Sequence, residues 1–336
     1  MIGEPQRSRL ERWYEGAGDW LADVPLLAGM CREYRVGEPG LLEERRDRLW
    51  NLRMNIHRNL APGLAEVAVQ AIARYAYGDL AVMRSIQVGS AVAVDIARLL
   101  GERGYAFLPE VDAGFVQRLL RWLKGQPAVQ DGSFANWTTT QAFRAPGLFE
   151  LANVPLILRV VERYLGVPPI IVNYSAWRSK AGAGAKGSQH FHRDYDDLRF
   201  VKLFVYLTDV DDVEDGPHCF VAGSHRVEAV AALRSGWPGG IEEFDKWYFG
   251  ALRKGDNDVG AVFSGTAAAL VGKAGTCFLV DTAGIHKGIP PARKDRVVAQ
   301  VLYGVTPHYV WYDREFPTRE AQVTSPLDYV NMLWLA

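Results

Sequence analysis

Cysteine is scarce in this sequence, and what there is does not pair. The three residues, Cys31, Cys219 and Cys277, are an odd number with no C-x-x-C spacing, which argues against a disulfide framework and for a reducing, cytoplasmic setting. An excess of charge is missing too. The 38 basic and 39 acidic residues leave a formal net charge of −1, so nucleic acid is not an expected partner. No apolar run of about 18 residues occurs, so no membrane span is expected. Residues 1–21 are polar and charged, without the apolar segment of a signal peptide. Fixed-period repeats and low-complexity tracts are also absent, which removes repeat architectures. What is present is a 49% hydrophobic fraction in 336 residues, enough for one large domain or a domain with an appendage.

Residues 7–101 carry a mostly helical pattern. Within 41–50, Leu42, Leu49 and Trp50 mark one face and charges cover the rest, as in an amphipathic helix. Pro62-Gly63 punctuates the region, and 64–77, with Val67, Val69, Ile72 and Ala73, reads as a more buried helix. Trp13, Trp20 and Trp50 are expected to pack on the rest of the chain. A module that recruits a protein partner is the functional alternative for this helical N-terminal region.

The pattern changes near Ala97. A helix end, a glycine cap and a short strand at 105–108 are followed by a helix headed by Asp112, and 153–165 reads as a further helix. Residues 126–147 are turn-rich and resist assignment. Strand signals then dominate, at 170–177, 199–209, 218–222, 275–281 and 296–306. In the second of these, Val201, Leu203, Val205 and Leu207 alternate with Lys202, Phe204, Tyr206 and Thr208. The glycine-rich stretch 181–187 lacks the spacing and the Lys-Ser/Thr ending of a phosphate loop, and reads as a mobile loop. Residues 227–274 look like an insertion whose Phe244, Trp247, Tyr248 and Phe249 would form a lid over a pocket. The expected class is α+β, a double-sheet jelly roll flanked by helices. The expected division is a helical region 1–95, a jelly-roll domain 96–310, and an extension 311–336 packing on that core.

Chemistry concentrates in Gln189-His190-Phe191-His192-Arg193-Asp194. On a strand, residues i and i+2 project to one face, so His192 and Asp194 can bind one ion together. His286, just past another strand in Asp281-Thr282-Ala283-Gly284-Ile285-His286-Lys287-Gly288, is the candidate third ligand. Two histidines and one carboxylate with other positions open form the ligand set of non-haem Fe(II) oxygenases. Arg296 opens the last strand and offers a planar fork that pairs with a carboxylate.

These segments, with Leu207-Thr208-Asp209-Val210, Asp215-Gly216-Pro217-His218 and Gly223-Ser224-His225-Arg226 between them, resemble the phytanoyl-CoA dioxygenase family. The resemblance spans about 97–306 and does not extend to the residues before about 95. It implies a cupin-like double-stranded β-helix in which His192, Asp194 and His286 hold Fe(II). It also implies that Arg296 takes the distal carboxylate of 2-oxoglutarate, with Asn173 or Gln189 beside it and Lys202 and Tyr206 as further contacts. O2 and 2-oxoglutarate would then be consumed, with succinate and CO2 released and a small organic substrate hydroxylated. Halogenating relatives replace the carboxylate ligand with a small residue, so Asp194 favours hydroxylation or another oxidation. Arg193 stands where relatives often have glutamine, a change expected at the rim of the site.

Rival assignments remain among the residues themselves. His190 shares strand parity with His192, and His190 and His218 are alternative ligands. His57 and His308 read as structural, and His225 as a turn residue. Arg293 rivals Arg296 but sits in a polar loop, where a solvated charge is expected. Trp177 and Trp247 are candidates to line a pocket. The insertion carries Arg234, Lys246, Arg253 and Lys254 but no motif for coenzyme A, sugar or peptide. Two other functions fit parts of the pattern: a metal-dependent cupin-type oxygenase or isomerase without 2-oxoglutarate, and a non-catalytic metal-binding interaction protein.

Overall fold

The computed structural model describes residues 69, 90–250, 253–305, 326–331, 333 and 334. The helices expected at 41–50 and 64–77 (Val69 apart, which is helical and buried), Trp13, Trp20, Trp50, Cys31, His57 and His308 lie outside the described residues.

Helix α1 (Ala91–Arg103) starts at Ser90, whose hydroxyl accepts from Ala93 N–H, and stops at Gly104 in the left-handed region (φ 84°). A Cβ there would sit 2.3 Å from the Phe220 ring, so this close turn into β1 (Tyr105–Phe107) requires glycine. Asp112 caps α2 (Ala113–Lys124). Strands β2 (Val129–Asp131) and β3 (Phe134–Trp137) form a hairpin, followed by α3 (Thr139–Phe143), α4 (Leu148–Ala152) and α5 (Pro155–Leu165). Then come β4 (Ile170–Ser179), β5 (Val201–Tyr206) and β6 (His218–Val221). The insertion folds as α6 (Val227–Ser235), α7 (Gly240–Asp245), a π-helical turn (Lys246–Gly250) and α8 (Asp256–Val262). It ends in β7 (Ala267–Leu270), and β8 (Cys277–Val280), β9 (His286–Gly288), β10 (Arg296–Gly304) and α9 (Pro326–Val330) complete the order.

The strands build two antiparallel sheets, one of seven strands in the order β1-β8-β5-β10-β4-β3-β2 and one of three in the order β7-β6-β9. The large sheet is two-faced because its side chains alternate. Leu203, Val205, Ala299, Val301 and Ala176 point into the main core with helix residues Leu100, Leu119, Leu158 and Val161. Burying one such leucine or valine contributes roughly 1.5–3 kcal/mol, so this face fixes the register of the sheet. The opposite face carries Arg296, Val298, Gln300, Lys202, Phe204, Tyr206, Ser175 and Trp177, which line a cavity. Tyr206 ties the sheets together, its hydroxyl donating to Leu270 O at 2.6 Å and accepting from His218 N–H at 2.8 Å. Near the end of the chain, the Trp334 indole N–H donates to Ile171 O at 2.7 Å and its ring meets Tyr174 edge-on at 4.6 Å.

Three local expectations change. Residues 126–147 hold the β2–β3 hairpin, whose two-residue Gly132-Ser133 turn has Gly132 at φ 58°, a recognisable hairpin signal. The insertion aromatics are not a lid. Phe244, Tyr248 and Phe249 are buried with Cys219, Val221 and Ile285 in a second core behind β6, and Trp247 stacks on Trp237 at 5.2 Å. Nor does the His192–Asp194 segment lie on a named strand; a single bridge ties it to β9. Among the described residues no helix is long and apolar enough to cross a membrane.

Candidate metal centre

Backbone bonds bring the ligand candidates together. His192 and His286 exchange both backbone N–H···O bonds at 2.9 Å, and Asp194 N–H donates to Thr282 O at 2.8 Å. The segment after Gln189 thereby becomes a one-rung extension of the small sheet beside β9. Arg193 secures it from behind: its Nε donates to Ala283 O at 2.6 Å and its guanidinium stacks 4.3 Å from the Tyr248 ring centroid. Arg193 therefore faces the second core and does not line the cavity.

The side chains converge. One ligand atom each from His192, Asp194 and His286 lies within 4.8 Å of the others. Each imidazole donates its Nδ1–H to the carbonyl two residues earlier, His190 O for His192 and Gly284 O for His286, both at 2.9 Å. A carbonyl can only accept, so both rings are held as the tautomer whose Nε2 lone pair is free. Those Nε2 atoms lie 3.6 and 3.4 Å from the Asp194 carboxylate. Orienting a ligand histidine through its second nitrogen is a recurrent feature of metal sites.

Burial, reinforced by His286, pushes His192 down to about 3, so the ring stays neutral and able to coordinate. Burial alone would raise Asp194, but Lys202 and the two imidazoles hold its carboxyl well below the usual range. Lys202 Nζ lies 2.6 Å from Asp194 Oδ2 and 2.6 Å from Asp196 Oδ2.

The triad opens into a cavity of about 410 Å³ whose lining also includes Gln189, His218, Arg253 and Arg296. Arg296 is 3% exposed, and burial lowers its pKa. It donates to Gly216 O and to Ser179 Oγ, and no carboxylate among the described residues pairs with it. Gly216 can present that carbonyl because it adopts φ 74°, and a Cβ there would meet Ile289 O at 2.6 Å and Pro291 N at 2.7 Å. Arg296 Nε and Gln189 Nε2 are buried without a hydrogen-bond partner among the described residues. The carbonyl oxygen of Gln189 is already taken by Ser133 Oγ and Lys186 N–H at 2.9 and 3.0 Å. Two orphan donors in one cavity, one of them cationic, suit an anionic ligand.

Of the eight candidates read from sequence, seven reach this cavity: His192, Asp194, His286, Arg296, Gln189, Lys202 and Tyr206. The hydroxyl of Tyr206 is committed to linking the sheets. Asn173 is not in the lining. It pairs with Leu302, one row beyond the Gln300–Ser175 pair that does line it, and Thr139 Oγ1 donates to its side-chain oxygen at 3.1 Å. The rivals fall away. His190 is exposed and serves through its carbonyl, and His218 lines the cavity stacked on His286 at 5.4 Å but outside the ligand cluster. Arg293 is half-exposed and pairs with Asp212 and Asp215. Trp177 lines the cavity and Trp247 does not. Sequence reasoning missed Ser179, which the register places opposite Arg296, and the hairpin residues Phe134 and Asn136. A second hollow of about 630 Å³ lies on the insertion around Ala232, Trp237 and Ala261; among the described residues Glu243 is the one ionisable side chain lining it, and no ligand cluster is there.

Neither a protein-family profile nor a curated protein matches the chain. Solved structures do. HygX from Streptomyces hygroscopicus, with nickel and 2-oxoglutarate bound, is 18% identical, with 65% of this chain and 89% of that one covered at a TM-score of 0.47. SnoN, a non-heme alpha ketoglutarate dependent epimerase from nogalamycin biosynthesis, is 21% identical over 63% and 82% of the two chains, at 0.45. EctD from S. alaskensis, with 2-oxoglutarate and 5-hydroxyectoine, is 17% identical over 72% and 83%, also at 0.45.

Proposed function

We propose that this chain is an Fe(II)- and 2-oxoglutarate-dependent oxygenase of the phytanoyl-CoA dioxygenase type that hydroxylates a small organic molecule. In this reading residues 96–310 form a double-stranded β-helix domain, 1–95 an added helical region and 311–336 an extension. The observation that carries it is one cavity holding both a two-histidine, one-carboxylate cluster and a buried arginine without an acidic partner among the described residues.

The residues fit the groups they would hold. Imidazole and carboxylate donors with open positions match non-haem Fe(II). Arg296 offers a guanidinium to the distal carboxylate of 2-oxoglutarate, and Gln189 Nε2 offers a neutral donor nearby. When bound, Fe(II) and 2-oxoglutarate supply an O2-driven two-electron oxidation, with succinate and CO2 as coproducts. The chain's own part is to aim two imidazoles, to hold His192 neutral and Asp194 ionised, and to bind a dianion away from bulk water. Buried free thiols at Cys219 and Cys277 agree with a cytoplasmic location.

Anaerobic addition of Fe(II) and 2-oxoglutarate to the purified protein is expected to give a visible charge-transfer band, and admission of O2 to release succinate. Asp194→Ala is expected to lose both. A folded wild-type protein without the band, or an Asp194→Ala variant with normal succinate release, rejects the reading. Normal activity and 2-oxoglutarate affinity in Arg296→Ala would instead select a metal-only oxygenase or isomerase.

A further inference from the structure

Lys202 places a cation where a metal ion has least use for one. Its ammonium is bonded to the carboxylate of a candidate ligand, Asp194, and to Asp196, with only 9% of the side chain exposed. The large sheet delivers it there. Lys202 shares a cross-strand row with Leu302 on β10 and Val280 on β8, so the regular pairing that sets the sheet also aims this side chain into the cavity. Among the described charged side chains at the cavity, Asp131, Asp194 and the Lys202 partner Asp196 meet three cations, of which Lys202 and Arg296 are buried and Arg253 is exposed. A divalent ion on His192, Asp194 and His286 would add two positive charges beside the buried Lys202 ammonium and Arg296 guanidinium. Repulsion between like charges is far less screened there than in water. A dianion in the same cavity reverses that balance by neutralising ion, ammonium and guanidinium together.

We propose that Lys202 makes tight metal binding at this centre conditional on a dianionic ligand, so that metal and 2-oxoglutarate load as a pair. The inference rests on the reading of the cavity as a 2-oxoglutarate site. Linkage makes the effect reciprocal: the factor by which the dianion raises metal affinity is the factor by which the metal raises dianion affinity. A metal ion resident without its cosubstrate is thereby disfavoured.

The test uses Ni(II), which is not redox-active here, titrated calorimetrically into the full-length protein with and without 2-oxoglutarate. Wild type is expected to bind Ni(II) at least about tenfold more tightly when 2-oxoglutarate is present. Lys202→Met is expected to strengthen binding of Ni(II) alone by about tenfold and to shrink the enhancement by the same factor. Lys202→Gln, which keeps a hydrogen-bond donor for Asp196 but drops the charge, is measured in parallel against misfolding and predicts the same shift. Lys202→Arg keeps the charge and predicts wild-type coupling. Enhancement of equal size in wild type and in the neutral variants overturns the role of Lys202 and leaves the 2-oxoglutarate reading standing. Absence of any 2-oxoglutarate binding to wild type overturns that reading and the coupling with it.

Discussion

Arg296 and His192 reach one cavity from unlike pieces of backbone. Arg296 opens β10, which pairs along its length with β4 and runs beside β5, and its register partner Ser179 is also its hydrogen-bond acceptor. His192 and Asp194 belong to no named strand. One bridge to His286, one bond to Thr282 and the contact of Lys254 N–H with Phe191 O hold their segment in place. The anion end of the cavity is thus a by-product of a regular sheet backed by the main core. The metal end exists only where separate segments meet, and Arg193 and the aromatic core behind β6 serve as its support. Rigidity comes from many equivalent rungs in the first case and from a few specific bonds in the second.

This contrast predicts separable failures. Arg296→Met should disable the anion end alone, lowering 2-oxoglutarate affinity by at least about a hundredfold, the scale of a lost buried charge pair. Ni(II) should still bind, and thermal stability should not fall, because the buried cation removed has no carboxylate partner among the described residues. Calorimetry and a melting curve check both; a large loss of stability would mean the sheet depends on Arg296.

Acid should act on the metal end first. Burial depresses His192 from 6.5 to about 3 and His218 well below its usual value, so the folded protein holds both rings neutral while the unfolded chain protonates them near 6.5. Their contribution is complete above that pH and is lost as pH falls below it, for His192 between about 6.5 and about 3. Asp194 is depressed as well, so its own contribution persists above 3.8 and is lost only below it. Melting temperature measured from pH 7 to 5 should therefore decline, and less so in His218→Phe. A flat profile would show that these rings take up protons in the folded state.

The smallest effect is expected in the insertion. Trp247→Ala removes a ring stacked on Trp237 and should cost the stacking contribution of about 0.5–1.5 kcal/mol plus that of the partly buried ring area, with 2-oxoglutarate affinity unchanged. A changed cosubstrate affinity would restore the lid that the second core otherwise replaces.

Much of the site was legible in the sequence because its signals are local. Alternation through 201–207 assigned Lys202 and Tyr206 to one face and Leu203 and Val205 to the other, as the sheet has them. Arg296 could be preferred to Arg293 because one begins an apolar strand and the other lies in a polar loop. Local signals also existed that were not taken up: Gly132-Ser133 marked a hairpin between two short strands. Other features had no local trace. Asn173 has the same strand parity as Ser175 and Trp177, yet lies one row too far along the sheet. The aromatics at 244–249, expected from the sequence to form a lid, are core because Cys219, Val221 and Ile285 lie beneath them. The bond between Lys202 and Asp194 could not be anticipated either, since it depends on how far a segment outside the sheet folds back over β5. Periodicity, glycine conformation and residue chemistry act between neighbours in the chain, so they specify strands, turns and which donors are available. Whether those donors meet is set by packing and backbone pairing between segments as distant as His192 and His286, and no shorter stretch of chain contains that information.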